Sequence, residues 1–369
     1  MSSYKLPPSP LLMQISNNPS SDNFQSSFKH LNYYIRQLLS QAGFDFQDFS
    51  RILDFGCGVG RFFYSFADIV TNKQKLYGTD LDESCVNWCK ENLPFARVDK
   101  NNLLPPLKYE DGFFSLIYAC SVFSHLPIDY QLCWAIEIYR CLSPGGCFLF
   151  STHGVTFFPN FYKHIRKVEK NNSSIISLGA SGLFISFESG AENDIGQREV
   201  GSAFNKEAMS EIFPFLELKL HVPCSELAGA QDTYVLQKSE QSISPVVCLS
   251  TNESDVEMNH RAVFSTKRLN TESIKFEFEA NAQRKFHSLV EFSDTYFGKA
   301  IANITIHQQD GLVKLSSSKI VATSQILGMG TFYILVFELG MLTGKYSIEI
   351  TFSGIPKDVK YTIIRPMLY

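Results

Sequence analysis

The stretch that decides the fold is Ile52-Leu53-Asp54-Phe55-Gly56-Cys57-Gly58-Val59-Gly60-Arg61. An apolar strand runs into three glycines at alternate positions, and a helix is expected to follow them. Glycine permits a tight turn and lets a ligand approach the backbone, while the N-terminus of a helix offers unpaired N–H groups to an anion. The stretch therefore predicts a ligand-binding loop. The alternative is a glycine-rich turn without a ligand. In that case the glycines would lower strand and helix propensity, and no gain in packing would compensate.

Strands and helices alternate on both sides of this loop. Such alternation predicts right-handed βαβ units around a doubly wound, mostly parallel Rossmann-like α/β sheet. The predicted strands are residues 76–79, 114–119, 147–151, 216–222 and 232–237, with Pro144-Gly145-Gly146 turning the chain into the third of them. The predicted helices are an amphipathic stretch from Asp22 that stops at Gly43, residues 83–92 with Asp82 as the cap, and residues 130–141.

The glycine spacing distinguishes two classes of nucleotide cofactor. Loops that bind nicotinamide dinucleotides carry Gly-x-Gly-x-x-Gly, but the third glycine is replaced by Arg61 when counted from Gly56 and by Phe63 when counted from Gly58. The acidic Asp54 also suits a cationic ligand better than a pyrophosphate. S-Adenosylmethionine carries a sulfonium and an ammonium, so this loop favours it over a nicotinamide cofactor.

Asp80 ends the next predicted strand. An acid at the tip of the second strand can accept hydrogen bonds from both ribose hydroxyls of a nucleoside. The competing role, capping the helix that follows, is available to Asp82. We therefore predict that Asp80 binds ribose.

With these motifs in place, residues 22–238 resemble class I S-adenosylmethionine-dependent methyltransferases of the small-molecule and glycan-associated branch. The motifs that carry the resemblance are the glycine loop, Gly78-Thr79-Asp80-Leu81, Asn101 with Pro105-Pro106-Leu107, Ser121-Val122-Phe123-Ser124-His125-Leu126, Trp134 with Glu137 and Arg140, Leu142-Ser143-Pro144-Gly145-Gly146, Thr152-His153-Gly154, and Gln231-Asp232-Thr233-Tyr234-Val235-Leu236. One departure is Phe114-Ser115, where such enzymes often have Phe-Asp; that acid is usually structural.

The resemblance implies S-adenosylmethionine as the cofactor and a role for each matching residue. Asp54, Gly56, Cys57 and Gly58 would hold the methionine end. Asp80 would bind ribose, Leu81 would pack on the adenine, and Asn101 would lie near it. Ala119 and Ser121 would line the pocket below the sulfonium.

Methyl transfer to a hydroxyl gains from a general base, typically about 10²- to 10⁴-fold. His153 and His125 each follow the carboxyl end of a predicted strand, where sites form in parallel sheets. His153 is the preferred base because the pKa of a histidine can be placed near neutrality. Its alternative role is to order the loop by a backbone hydrogen bond, and His125 is expected to be a helix-entry residue. Arg198 and Glu199 could bind substrate or lie on a solvated loop.

After Lys238 the sequence pattern changes from alternating strands and helices to strands alone. Residues 273–279, 302–306 and 346–352 alternate polar and apolar side chains, which predicts an all-β antiparallel sandwich domain. We therefore expect a flexible segment over 1–21, a methyltransferase domain over 22–240 and the sandwich over 241–369. The sandwich either binds a glycan, through the loop aromatics Tyr296 and Phe297, or serves oligomerisation or partner binding.

Composition limits the remaining function classes. The 369 residues carry a formal net charge of −4, and no dense basic cluster points to a nucleic acid. Nine cysteines without a Cys-x-x-Cys pair suggest buried free thiols and no metal site. The N-terminus lacks a signal-peptide core, and glycines interrupt the apolar run 326–342, which predicts two strands and a turn with no membrane span. A cytoplasmic protein is expected.

Two function hypotheses from different classes follow from the sequence. The first is an active methyltransferase acting on a small-molecule or glycan acceptor. The second is a binding protein that keeps the cofactor fold without turnover, with the sandwich as its recognition part. The intact glycine loop and Asp80 favour the first.

Overall fold

The computed structural model describes residues 4–16, 18–29, 31–71, 74–126, 128–159, 172–178, 182–188, 201–225, 227, 231–240, 246–247, 249–250, 256–259, 262–267, 274–292, 299–308, 313–322, 331–353 and 361–368. The helices are α1 Ser9–Ser16, α2 Ser21–Lys29, α3 Leu31–Gln41, α4 Arg61–Phe66, α5 Glu83–Asn92, α6 Ile128–Cys141 and α7 Lys206–Ile212. None of these is long and apolar enough to span a lipid bilayer.

The first ten strands are β1 Arg51–Phe55, β2 Lys75–Asp80, β3 Ala96–Lys100, β4 Phe114–Cys120, β5 Leu142–Thr152, β6 Asn172–Leu178, β7 Gly182–Glu188, β8 Gly201–Phe204, β9 Glu217–Ser225 and β10 Gln231–Gln237. Seven of them form one sheet in the order β3-β2-β1-β4-β5-β10-β9. The first five in that order are parallel, and β10 is antiparallel to both its neighbours. The predicted doubly wound, mostly parallel α/β fold is confirmed.

Apolar side chains cover both faces of this sheet. Along β4, Ile117 and Ala119 pack into one core with α6 and α7, whereas Leu116 and Tyr118 pack into the other with α3 and α4. Strands that are buried on both faces carry mostly apolar side chains, which explains why Ile52, Leu53 and Phe55 precede the glycine motif. The sheet is therefore the middle layer of three.

Three elements differ from the sequence-based expectation. Within the segment 1–21 that we expected to be flexible, α1 forms and Leu12 is completely buried. Strand β3 was not predicted, because its Arg-Val-Asp-Lys sequence carries little apolar signal. Residues 143–146 bulge within β5, between the pairs Phe114–Leu142 and Leu116–Cys147, and do not precede it as a turn.

The chain after residue 240 is antiparallel β structure wherever it is described. Its strands are β11 Val246–Val247, β12 Leu249–Ser250, β13 Val256–Asn259, β14 Ala262–Lys267, β15 Ile274–Phe292, β16 Lys299–Gln308, β17 Val313–Ala322, β18 Thr331–Ser353 and β19 Tyr361–Leu368. They pair as one nine-stranded sheet, and β6, β7 and β8 form a separate three-stranded sheet. The antiparallel prediction is confirmed, and a two-layered sandwich stays a prediction. Of the run 326–342, in which two strands and a turn were expected, residues 331–342 belong to the continuous strand β18, and residues 326–330 lie outside the described residues.

Candidate functional site

The glycine loop between β1 and α4 requires its glycines. Gly56, Gly58 and Gly60 have φ values of +75°, +52° and +87°, a region that side chains rarely adopt. A Cβ at Gly56 would lie 2.4 Å from Cγ2 of Val122, and one at Gly60 would lie 2.5 Å from Cδ1 of Leu93. The N–H groups of Gly56 and Cys57 both donate to the carbonyl of Thr79, which fixes the loop to β2.

Asp80, at the tip of β2, connects this loop to the next helix. Its Oδ2 accepts a hydrogen bond from the Gly58 N–H at 2.7 Å, and its Oδ1 accepts one from the Asp82 N–H at 2.9 Å. Burial raises the pKa of the Asp80 carboxyl, and these two N–H donors oppose that rise. Asp82 caps α5, as predicted, by accepting from the Ser84 and Cys85 N–H groups.

A cavity of about 240 Å³ opens along these strand tips. Six of the predicted site residues line it: Gly56, Gly58, Asp80, Leu81, Asn101 and Ser121. The lining also contains residues that were not among the predicted site residues, namely Ile15, Phe55, Asp82, Cys85, Leu103, Cys120, Val122, Leu126 and Trp134. Cys120 and Val122 flank a predicted residue, whereas nothing in the sequence pointed to Ile15, which α1 brings from the N-terminus.

Four predicted site residues lie outside the cavity lining. Asp54, Cys57 and Ala119 are almost completely buried beneath it, so they support the loop and the strand tips from below. His153 is also outside the lining, a difference from its expected place at the reacting centre. Arg198 and Glu199, and the loop aromatics Tyr296 and Phe297, lie outside the described residues.

Asp54 and Arg61 are two titratable residues next to the loop. Burial raises the pKa of Asp54 to about 8, the nearby Arg61 guanidinium opposes this rise, and Asp80 adds to it. Arg61 donates from Nη2 to the Sγ of Cys120 at 2.9 Å. A cation bound above the loop would therefore favour the ionised form of Asp54.

Asn101, which follows β3, supplies an acceptor at the far end of the cavity. Its N–H donates to the Asp80 carbonyl at 3.0 Å, and its Nδ2 donates to the Asn102 carbonyl at 2.8 Å. Its Oδ1 is buried and has no hydrogen-bond partner among the described residues. A buried acceptor without a partner is costly, so this atom fits a ligand that brings a donor, such as the amino group of adenine.

Ser121, at the tip of β4, has a left-handed backbone with φ of +63°. Its N–H donates to Ser151 Oγ at 3.0 Å, Gln231 Nε2 donates to its Oγ, and Ser151 Oγ donates to Gln231 Oε1 at 3.0 Å. A strained non-glycine residue persists when its surroundings hold it in place, and such residues cluster at functional sites. Three strands of the sheet thus cooperate to aim Ser121 into the cavity.

The two candidate histidines are neighbours, with ring centroids 6.4 Å apart. His125 lines the cavity, and His153 lies beside it. His153 donates from Nδ1 to the Ser202 carbonyl at 3.2 Å and stacks on Phe157 at 4.1 Å. The pKa of His153 is lowered to about 4, mainly by burial and also by the His125 charge, while the hydrogen bond to the Ser202 carbonyl acts in the opposite direction. His153 is therefore neutral at pH 7.

Solved structures of other proteins are similar to this chain over part of its length. One is a protein from Pyrococcus horikoshii, 14% identical, with a TM-score of 0.43 over 62% of this chain and 96% of that one. A second is an S-adenosylmethionine-dependent methyltransferase from Clostridium acetobutylicum, 16% identical, with a TM-score of 0.40 over 57% and 92%. A third, bound to S-adenosylmethionine, is an amino pentose methyltransferase from Micromonospora echinaspora, 15% identical, with a TM-score of 0.40 over 59% and 95%.

Residues 27–189 match a family model described as a methyltransferase domain. The match begins within α2 and ends just after β7, so it contains the glycine loop, Asp80, Asn101 and both histidines. This part of the chain is therefore similar to methyltransferase domains.

Proposed function

We propose that this domain transfers a methyl group from S-adenosylmethionine to a hydroxyl or an amine of a sugar, a glycan or another small metabolite. The observation that carries the proposal is that one cavity combines the positive-φ glycines Gly56 and Gly58, the Asp80 carboxylate and the unpaired Oδ1 of Asn101. When bound, the cofactor supplies an activated methyl group on a sulfonium.

The cofactor residues are assigned by the groups they present. Each oxygen of Asp80 accepts one backbone N–H and keeps lone-pair capacity for a ribose hydroxyl. Leu81 and Leu103 offer apolar walls to the adenine, and Asn101 Oδ1 accepts from its amino group. The methionine end lies over Gly56, Cys57 and Gly58, with the Asp54 charge below.

The order of strands assigns the rest of the cavity to the acceptor. Asn101 follows β3, Asp80 ends β2, the glycine loop follows β1, and Ser121 follows β4. With adenosine at β2 and β3, the methionine part extends across β1 toward β4, where Ala119 lies below and Ser121 lines the wall. The acceptor then enters on the β4 and β5 side, and alignment there with the methyl group supplies much of the rate. A base for the hydroxyl proton would come from His125 or His153.

Titration calorimetry with S-adenosylmethionine tests the proposal. Wild type is expected to bind with micromolar affinity, about −8 kcal/mol. Asp80→Asn should bind about 10- to 100-fold more weakly, because it loses charge-assisted hydrogen bonds worth roughly 1.5–3 kcal/mol. Glu83→Gln is the matched control: its exposed ion pair with Lys100 contributes little, so affinity should stay within about threefold.

The acceptor class is tested by transfer of a labelled methyl group to a panel of methyl glycosides, amino sugars and catechols. Turnover of any of these supports an enzyme, and the preferred member identifies the class. A folded wild type that binds no S-adenosylmethionine would overturn the proposal. It would favour the second candidate, a binding protein whose recognition part is the C-terminal sheet.

We further propose that residues 22–240 form the catalytic domain and residues 241–369 a separate β domain. A composition change after Lys238 and antiparallel pairing among β11 to β19 support this division. The role proposed for the second domain is to bind a glycan or a partner, which includes another copy of the chain.

A further inference from the structure

The position of His125 in the cavity follows from the sheet order. The tips of β3, β2, β1, β4 and β5 are neighbours in that sequence along the carboxyl edge. His125 comes five residues after the end of β4 and lines the cavity, whereas His153 comes directly after β5, one strand farther from the adenosine side. If the proposed cofactor placement holds, His125 is the histidine next to the transferred methyl group.

The backbone on both sides of His125 is fixed by hydrogen bonds. The His125 N–H donates to the Val122 carbonyl at 3.0 Å, and Ser124 Oγ donates to the Ser121 carbonyl at 2.8 Å. The carbonyls of Phe123 and Leu126 both accept from the buried Nε2 of Gln131, at 2.8 and 2.9 Å. Groups that react must be held within a fraction of an ångström, and these bonds supply that rigidity.

Strand β8 joins this turn to His153. Ser202 Oγ donates to the Phe123 carbonyl at 2.8 Å, and the Ser202 carbonyl accepts from His153 Nδ1. The same residue therefore fixes the turn that carries His125 and the orientation of the second imidazole. His153 is held by this bond and by its stacking on Phe157, and it is not among the residues that line the cavity.

We propose that His125 is the catalytic base of the methyl transfer, in place of His153, and that the acceptor it serves is a hydroxyl. This inference rests on the proposed function. In the transfer, a bond forms between the acceptor oxygen and the methyl carbon. The sulfur–methyl bond breaks with its electron pair left on sulfur, and the hydroxyl proton passes to a ring nitrogen of His125.

The neighbouring His153 does not oppose this proton transfer. Two imidazolium rings with centroids 6.4 Å apart would repel each other, so the pair holds one proton more readily than two. Because His153 stays neutral within its buried contacts, His125 can take the acceptor proton without an adjacent positive charge.

The test uses a cofactor analogue and needs no acceptor. In the analogue, an aziridinium ring on nitrogen replaces the methyl sulfonium of S-adenosylmethionine. A ring nitrogen that faces this position opens the aziridinium: a carbon–nitrogen bond forms to the imidazole, and one breaks with its electron pair returned to the analogue nitrogen. The protein then carries the whole analogue, and peptide mass spectrometry locates it. Binding of S-adenosylhomocysteine is measured in parallel by calorimetry.

We expect the label on His125. His125→Gln should lose at least about 90% of the labelling while it binds S-adenosylhomocysteine within about threefold of wild type. His153→Gln, whose amide can still donate to Ser202, should leave the label on His125. A label on His153 or Cys120, or no label on a protein that binds the analogue, would overturn the assignment. Absence of any binding by wild type would instead refute the proposed function itself.

Discussion

The two ends of the cavity are built in different ways. At the proposed cofactor end, lined by Gly56, Gly58, Asp80 and Asn101, the contacts join residues close in sequence: Asp80 accepts from Gly58, 22 residues away. At the proposed acceptor end, lined by Ser121 and His125, Gln231 donates to Ser121 from 110 residues away, and Ser202 donates to the Phe123 carbonyl from 79 residues away. The cofactor end is a local loop motif, and the acceptor end is a product of long-range packing.

This difference shows why a cofactor site is easier to predict than an acceptor site. Backbone N–H groups and one acid are sufficient to hold a common cofactor, and both are encoded within a few residues. The acceptor end depends on β8, β10 and α6 meeting at one place. Changes at the cofactor end should therefore affect cofactor binding, while changes at the acceptor end should spare it.

The largest expected effect is at Gly56. Besides its positive φ, a Cβ there would meet Val122 on the cavity wall at 2.4 Å. Gly56→Ala should weaken S-adenosylmethionine binding about 1000-fold, since backbone strain and displacement of the wall cost roughly 2 kcal/mol each. Calorimetry measures the change.

Gly43→Ala is the matched control for Gly56→Ala. Gly43 has a φ of +88°, and an added Cβ would have nothing within 4 Å. This variant should lose stability through strain and keep its cofactor affinity. Equal loss of binding in the two variants would show that strain, and not the cavity wall, is what matters.

The next effect is the pH dependence of cofactor binding through Asp54. Its pKa of about 8 means that the carboxyl is protonated in the free protein below that pH. If it faces the cofactor ammonium, binding must release this proton, and affinity should rise about tenfold from pH 6 to 7 and about fivefold from pH 7 to 8. Calorimetric Kd values at pH 6, 7 and 8 check this. Asp54→Asn is the control, because its side chain cannot titrate. If the Kd of wild type and of this variant depend on pH in the same way, Asp54 does not contact the ligand.

The smallest expected effect is the loss of folding stability at low pH that the buried, neutral His153 causes. The pKa of His153 is about 4 in the folded protein, while an unperturbed histidine titrates near 6.5. The unfolded chain therefore binds the proton first, and stability present above pH 6.5 is lost as the pH falls toward 4. Wild type should lose about 2 kcal/mol more than His153→Gln between pH 7 and 4.5.

Urea denaturation at each pH measures the difference in folding stability between wild type and His153→Gln. The raised pKa of Asp54 acts in the opposite direction, because the folded state binds more protons than the unfolded chain between about pH 4 and 8. Its contribution to stability therefore falls as the pH rises, so wild type must be compared with His153→Gln at the same pH. Identical acid profiles for the two proteins would contradict a buried, neutral His153.

The central strands of the sheet were predicted from the sequence more completely than its edge strands. Strands β1, β2 and β4 carry mostly apolar side chains on both faces, so they were predicted from the sequence. Strand β3 carries charged side chains and was not predicted. The cap at Asp82 was found because an N-cap is a local signal. The N-terminal helix α1 was missed, since its burial depends on a surface that only the folded chain presents.

The sequence by itself determined the α/β class, the glycine loop and the acid at Asp80, because each depends on backbone conformation or on neighbours within about twenty residues. Only the tertiary structure decided that α1 brings Ile15 into the cavity and that His125 lines it while His153 lies behind. The physical reason is that this arrangement is held by hydrogen bonds of Ser202, Gln131 and Gln231, which join segments that no local pattern connects.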